Sequence, residues 1–192
     1  MATHLRVEDV LSAYQTGWFP MADPAGELYW YEPRLRGIIE LDALKVSRSL
    51  RRTIAKHTFE TRINTAFREV MMHCARRDDT WISDEIIRVY STLHERGLAH
   101  SVESFHNDTL VGGLYGVALG GAFFGESMFS TMADASKVAL VALVGRMRER
   151  GFVLLDTQFL TEHLQSMGAI EIPRDAYAAR LAAALTINVT FA

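Results

Sequence analysis

A chain of 192 residues that is 49% hydrophobic holds enough apolar material for one compact domain, or one domain with a small companion. With 20 Lys and Arg against 23 Asp and Glu, the formal net charge is −3, which excludes nucleic-acid recognition through the overall field and leaves only local basic patches. A single cysteine, Cys74, excludes an internal disulfide, and no run approaches the roughly 18 uncharged apolar residues of a membrane span, so a soluble protein of the reducing cytoplasm is expected.

From the N-terminus, MATHLRVEDVLSAY has no long apolar signal core, and Val7, Val10, Leu11 and Tyr14 keep helical spacing until Gly17. FPMADPAGE reads as a turn, and LYWYEPRLRGIIEL as one or two strands around Pro33. A helix is expected from Ser47 to His57, a strand from Thr58 to Ile63 and a helix from Thr65 to Arg76, with Arg76-Arg77-Asp78-Asp79 as a loop. Asp84 suits the cap of a helix that runs to Glu95 and stops at Gly97.

Beyond Gly97 the pattern changes to three strand-like runs with turns at Asn107-Asp108 and Gly120-Gly121, an antiparallel meander. A helix from Asp134 to Gly151 follows, then the apolar strand FVLLDTQ, a short helix near Glu162 to Met167, the strand GAIEI and an Ala-rich helix. The order is α+β: a small N-terminal α/β unit (residues 1–63) and a C-terminal unit (64–192) with a mostly antiparallel sheet flanked by helices. Its order of elements resembles the acetyltransferase (GNAT) superfamily core.

One carboxylate is out of place. Glu126 sits in FFGESMFS, otherwise a buried strand, and an ionised carboxylate is rarely buried without a partner. In FVLLDTQ, residues two apart share a face, so Asp156 and Gln158 project together. If the two strands adjoin, Glu126, Asp156 and Gln158 converge on a pocket that Phe124 and Met128 line from Glu126's face. The plainer alternative is that Asp156 and Gln158 mark a strand end. In VSRSLRRTIAKH, Val46, Leu50 and Ile54 form an apolar stripe opposite Arg48, Arg51, Arg52 and Lys56, an arc either solvated or turned to phosphates. Trp81 and the rings of YQTGWFPM and LYWYEPR are core residues or stacking surfaces. GESMF is no nucleophile elbow, the glycines of VGGLYGVALGG fit no phosphate loop and instead allow close strand packing, and His94, His100 and His106 share no helix face, so no metal site is expected.

Taken together, AYQTGWFPM, WYEPRLRG, SRSLRR, DTWI, LHERGLAHSVE, LVGGLYGV, FFGESMFS, ASKVAL and LLDTQF resemble the leucyl/phenylalanyl-tRNA-protein transferase family, in the family's order from about Leu11 to Tyr177. The resemblance implies a cytoplasmic enzyme without a cofactor. It would move Leu or Phe, and also Met, from aminoacyl-tRNA to proteins with N-terminal Arg or Lys, creating an N-end-rule degradation signal. It implies that Glu126, Asp156 and Gln158 are catalytic, that Trp81 stacks on the terminal adenosine, and that Tyr14 belongs to the substrate site. Leu114, Phe123, Met128, Leu143, Met147 and Leu155 would line the side-chain pocket. Arg51 and Arg52, with Arg48 and Lys56 of the same arc, would hold the tRNA. Met21 stands where family members carry a Trp, removing one stacking surface. On this reading Asp156 and Gln158 form a proton relay and Glu126 holds the acceptor's cationic end; a monomer is expected. The rival readings are an acyl-CoA-dependent N-acyltransferase, which lacks its pyrophosphate-binding segment here, and a non-catalytic RNA-binding module, which needs no apolar pocket.

Overall fold

In the computed structural model, which describes residues 5–23, 25–76 and 80–192, the expected apolar stripe of the first helix is buried. Val7, Val10 and Tyr14 are the buried positions of α1 (Val7–Gln15). FPMA, read above as a turn, is strand β1 (Phe19–Ala22), paired antiparallel with β2 (Leu28–Tyr31). Pro20 is tolerated because each strand of a two-stranded ribbon has one unpaired edge. Strand β3 (Leu35–Ile39) follows Pro33. After a 3-10 turn at Leu41–Ala43 comes helix α2 (Arg48–Ala55), capped by Ser47, whose hydroxyl accepts the Leu50 N–H. Then come β4 (Glu60–Ile63) and α3 (Phe67–Cys74). Residues 77–79 of the expected basic loop lie outside the described residues.

Helix α4 (Asp84–Glu95) is capped by Ser83, one residue before the expected Asp84; Asp84 and Glu85 instead occupy the first turn, where the helix dipole favours acids. The meander forms as β5 (Ala99–His106), β6 (Thr109–Leu119) and β7 (Ala122–Ser130), with Asn107 and Asp108 both at positive φ in the first turn. Helix α5 (Ala135–Arg150), strand β8 (Leu154–Gln158), helix α6 (Glu162–Ser166), strand β9 (Ile170–Pro173) and helix α7 (Arg174–Leu185) complete the order.

Seven strands form one sheet in the order β4-β5-β6-β7-β8-β3-β9, and every pairing is antiparallel except β7 with β8. The fold is thus mixed α+β, a mostly antiparallel sheet flanked by helices, with α5 as the crossover between the parallel strands. The sheet draws on both sides of residue 63, since β3 lies between β8 and β9 and β4 forms an edge. Alternate side chains feed two cores. Phe124, Tyr115 and Val117 pack with α1, α3, α4 and α7; Phe123 and Leu114 pack with α2 and α5 on the opposite face. At Gly112 the close approach is of a helix rather than a strand, since a Cβ there would come within 2.5 Å of the Ala135 Cβ that opens α5.

Strands β7 and β8 pair through Ala122, Phe123 and Phe124 with Leu154, Leu155 and Asp156. Past Phe124 and Asp156 no further pair joins them among the described residues, so the sheet opens beside Glu126 and Gln158.

Candidate active site

Glu126 is turned inward by a β-bulge. Tyr115 pairs with Ser127 and Gly116 with Gly125, so Glu126 is the extra residue of its strand. Gly116 is required opposite this bulge, because a Cβ there would lie 2.2 Å from the Phe124 carbonyl oxygen. The bulge also corrects the expected alternation: Phe124 stays on Glu126's side of the sheet, whereas Met128 moves to the side of Leu114 and Leu155. Glu126 as a residue is only 8% exposed. Its Oε1 accepts the Tyr14 hydroxyl at 2.5 Å and the Gln158 side-chain N–H at 2.9 Å. The Tyr90 oxygen lies 2.5 Å from that of Tyr14 and 3.4 Å from Glu126 Oε2, so a chain of hydroxyls leads to the acid. Burial raises the Glu126 pKa to about 7; the bonds from Tyr14 and Gln158 restrain that rise, and Asp156 adds to it. Burial and the Glu126 charge lift both tyrosines well above their ordinary value, which keeps them neutral donors.

Asp156 is fully buried, and its two oxygens are fully engaged. Oδ1 accepts Arg36 Nε at 2.9 Å and the Gln158 backbone N–H at 2.8 Å; Oδ2 accepts Arg36 Nη2 at 2.6 Å and the Tyr177 hydroxyl at 2.7 Å. Arg36 also donates to the Gly17 carbonyl and lies between the rings of Phe19 and Tyr177, each centroid 4.6 Å from its Cζ. Burial opposes the Arg36 charge, but Asp156 outweighs it and raises the guanidinium's pKa. The side chains of Asp156 and Gln158 are not paired with each other as a relay between them requires: Asp156 accepts from the Gln158 backbone N–H, and the Gln158 side chain donates to Glu126. Gln158 stands at φ +62°, a left-handed conformation that costs a non-glycine residue about 1 kcal/mol or more. Asp156 offsets this by accepting the N–H of that strained residue.

The opening between β7 and β8 is a cavity of about 440 Å³. Its lining includes Glu126 and Gln158 together with the expected Trp81, Leu114, Met128, Leu143 and Leu155, and also Met21. Phe123 and Met147 do not line it. Both are fully buried in the apolar cluster behind Leu143 and Leu155, because they lie on the inward side of their elements. Tyr14 is likewise fully buried and reaches the cavity only through Glu126. The sequence reading missed Leu140, one helical turn before Leu143, which the i, i+3 rule would have found. It also missed Thr157, Phe159, Thr161, His163 and Leu164, which no periodicity marks, and Arg36, whose signal was a lone arginine in the apolar strand LRGII.

On α2, Leu50 is buried against the α5 core, while Arg48, Arg51, Arg52 and Lys56 are all exposed and make no ion pair among the described residues. The helix thus presents four unneutralised cations on the face away from the core. Among the described residues, no group of three or more His, Cys, Asp and Glu could hold a metal ion.

Two family models match almost end to end: the leucyl/phenylalanyl-tRNA protein transferase N-terminal domain over residues 3–34 and leucyl/phenylalanyl-tRNA protein transferase over residues 38–182. The chain is similar to the leucyl/phenylalanyl-tRNA–protein transferases of Herpetosiphon aurantiacus (55% identity over 192 residues, all of both chains) and Rubrobacter xylanophilus (54% over 189 residues, 98% of this chain and 99% of the other). That of Gloeobacter violaceus is 53% identical over the full length of both. The chain belongs to the leucyl/phenylalanyl-tRNA protein transferase family.

Proposed function

We propose that this chain transfers leucine or phenylalanine, and also methionine, from aminoacyl-tRNA to the α-amine of proteins whose N-terminal residue is Arg or Lys, marking them for degradation. The observation that carries the reading is the cavity, whose apolar wall of Leu114, Met128, Leu140, Leu143 and Leu155 meets a buried carboxylate with a pKa near neutrality. An unbranched or γ-branched side chain fits such a wall, and Val or Ile, branched at Cβ, crowds its mouth; discrimination of about 1–3 kcal/mol per methyl group follows.

The chemistry is aminolysis of an ester. The acceptor's amine forms the new C–N bond at the aminoacyl carbonyl, the C–O bond to the ribose breaks, and the amine's proton must reach the departing oxygen. Glu126 is suited to carry that proton. With a pKa about 7 it is partly ionised at neutral pH, so it can take a proton from the amine and return it to the ribose oxygen. Gln158 aims the carboxylate and Asp156, held by Arg36, is a positioning residue that fixes Gln158. The cationic arc of α2 accounts for tRNA binding, and Trp81 for stacking on the terminal adenosine. Residues 64–192 are read as a GNAT-like catalytic unit, a reading supported by the open parallel pair β7–β8, and residues 1–63 as a smaller unit that adds β3 and β4 to the same sheet. The chain is read as a monomer of the cytoplasm; among the described residues no helix is long and apolar enough to cross a membrane.

The test supplies labelled Leu-tRNA with two acceptors, one beginning with Arg and one with Ala. Label on the Arg acceptor alone is the expected result; label on neither, or on both, contradicts the reading.

A further inference from the structure

A second groove, of about 490 Å³, adjoins the aminoacyl cavity, and Met128 and His163 line both. Its other walls are His73 and Arg76 at the end of α3, Phe129, Ser130 and Thr131 at the end of β7, and Ser136 in the first turn of α5. None of these residues is acidic. His73 is held flat on Phe129, with ring centroids 4.4 Å apart and planes 10° from parallel. Arg76 is exposed, with one nitrogen 3.4 Å from His73 Nδ1 and no ion pair among the described residues. The Ser130 and Thr131 hydroxyls already donate to the Met132 and Val111 carbonyls. The Ser136 hydroxyl makes no hydrogen bond among the described residues. His163 Nε2, at the junction of the two cavities, is buried and has no hydrogen-bond partner among the described residues. A buried polar atom left unpaired is unfavourable, so this nitrogen is a place where a ligand supplies what the fold does not.

The groove also has a direction. One mouth is the cavity that holds Glu126 and Gln158. At the other, Thr53 of α2 donates to Asp134 at 3.1 Å, two residues before Ser136, so the cationic helix abuts the groove's far wall. Arg76 and Trp81 flank the same short connection between α3 and α4. This groove lies between the cavity and α2 and so offers a path to a strand whose ester end is in the cavity and whose body reaches α2; the first charged group such a strand brings beyond the terminal nucleoside is a phosphodiester.

We propose that the groove between Met128, His163, Ser136 and Arg76 seats the 3′-terminal phosphodiester of the aminoacyl-RNA donor. Arg76 supplies the cation, the Ser136 hydroxyl a neutral donor, and His163 Nε2 a hydrogen-bonding partner for the adjoining ribose. The proposal rests on the transferase reading above and goes beyond it by giving the donor strand a path.

Two non-hydrolysable probes test it: 3′-deoxy-3′-leucylamido-adenosine with and without a 5′-phosphate, each titrated against the full chain and against Arg76→Gln, an exposed position whose change leaves the core intact. The wild type is expected to bind the phosphorylated probe roughly tenfold more tightly, as one charge-assisted contact allows. Arg76→Gln should reduce that preference to about twofold or less while leaving the unphosphorylated probe's affinity unchanged. Arg51→Gln, on α2, should keep the preference. Equal binding of the two probes by the wild type, binding of neither, or a preference that survives Arg76→Gln overturns the proposal, as does equal weakening of both probes by Arg76→Gln. A parallel assay of Leu-tRNA transfer keeps the two readings apart. Transfer without a phosphate preference removes the groove and leaves the transferase standing; a phosphate preference without transfer does the reverse.

Discussion

Glu126 is the residue on which sequence and structure agree most and whose consequences reach furthest. Its acidity is displaced upward by burial, so ionising it is harder in the folded chain than in the unfolded one, where its pKa is about 4.5. Stability from this group is therefore whole below pH about 4.5 and falls as pH rises through about 7, by roughly 3 kcal/mol at about 1.4 kcal/mol per pKa unit. Glu126→Gln keeps an oxygen for Tyr14 and Gln158 and removes the charge, so Tm should rise at pH 8 and change little at pH 5, while the transfer rate falls by about 100-fold or more. A fall in Tm at both pH values would mean that the hydroxyl chain stabilises the anion more than burial disfavours it. If the ionised acid carries the proton, the transfer rate climbs with pH through an apparent pKa near 7. The Gln158 side chain holds that pKa down, so Gln158→Leu should move the limb to higher pH, and a profile that drops in height without moving would remove Gln158 from the titration. The bulge at Glu126 and the positive φ of Gln158 were not legible in the sequence. Both are set by contacts across strands: Thr157-Gln158-Phe159 holds no glycine or asparagine to announce a positive φ, and Gly125, beside the bulge, is one of several glycines in the meander and does not itself take a positive φ.

Strand β8 is anchored by a clasp that joins four pieces of the chain. Arg36 comes from β3, Asp156 from β8, Tyr177 from α7 and the Gly17 carbonyl from the segment after α1. Arg36 and Asp156 are 120 residues apart, and for that reason local pattern did not link them. Sequence reading placed the helices, the meander and the order of the last elements, because those follow from periodicity and turn residues. It left β3 outside the main sheet, since nothing within LRGII states that it inserts between β8 and β9. A buried ion pair is strongly destabilising to break at one end, by about 3–5 kcal/mol, and often near neutral to replace with apolar residues at both. Arg36→Met and Asp156→Asn should each lower the urea midpoint accordingly, and Arg36→Met with Asp156→Leu should recover much of the loss. Both variants at Asp156 still disturb the turn at Gln158, so the double variant regains stability without regaining transfer. Recovery of transfer along with stability would show that the clasp only holds the fold.

The molecule as a whole carries a formal charge of −3, yet the reading proposed above requires it to meet a polyanion, and on that reading the contact falls to the cations concentrated on one helix, which form no ion pair among the described residues. Helix α2 keeps that face because its apolar side is satisfied by Leu50 against α5, the helix that also contributes Leu140 and Leu143 to the cavity. The long-range field is weakly negative, so attraction is confined to the Debye length of the patch, about 10 Å at 0.1 M salt. Donor affinity should accordingly fall steeply with salt, with a slope that counts contacts rather than net charge. Removing Arg51 and Arg52 together, as Arg51→Gln with Arg52→Gln, should reduce the slope of log KM for Leu-tRNA against log salt by about 1.5–2 and raise KM at low salt, with kcat unchanged. A small donor such as leucyl-adenosine, too short to reach α2, should show no such change. If both donors lose the same salt dependence, the cations act on the cavity itself through the packing of α2 on α5, and the helix is a structural support rather than an RNA-binding face.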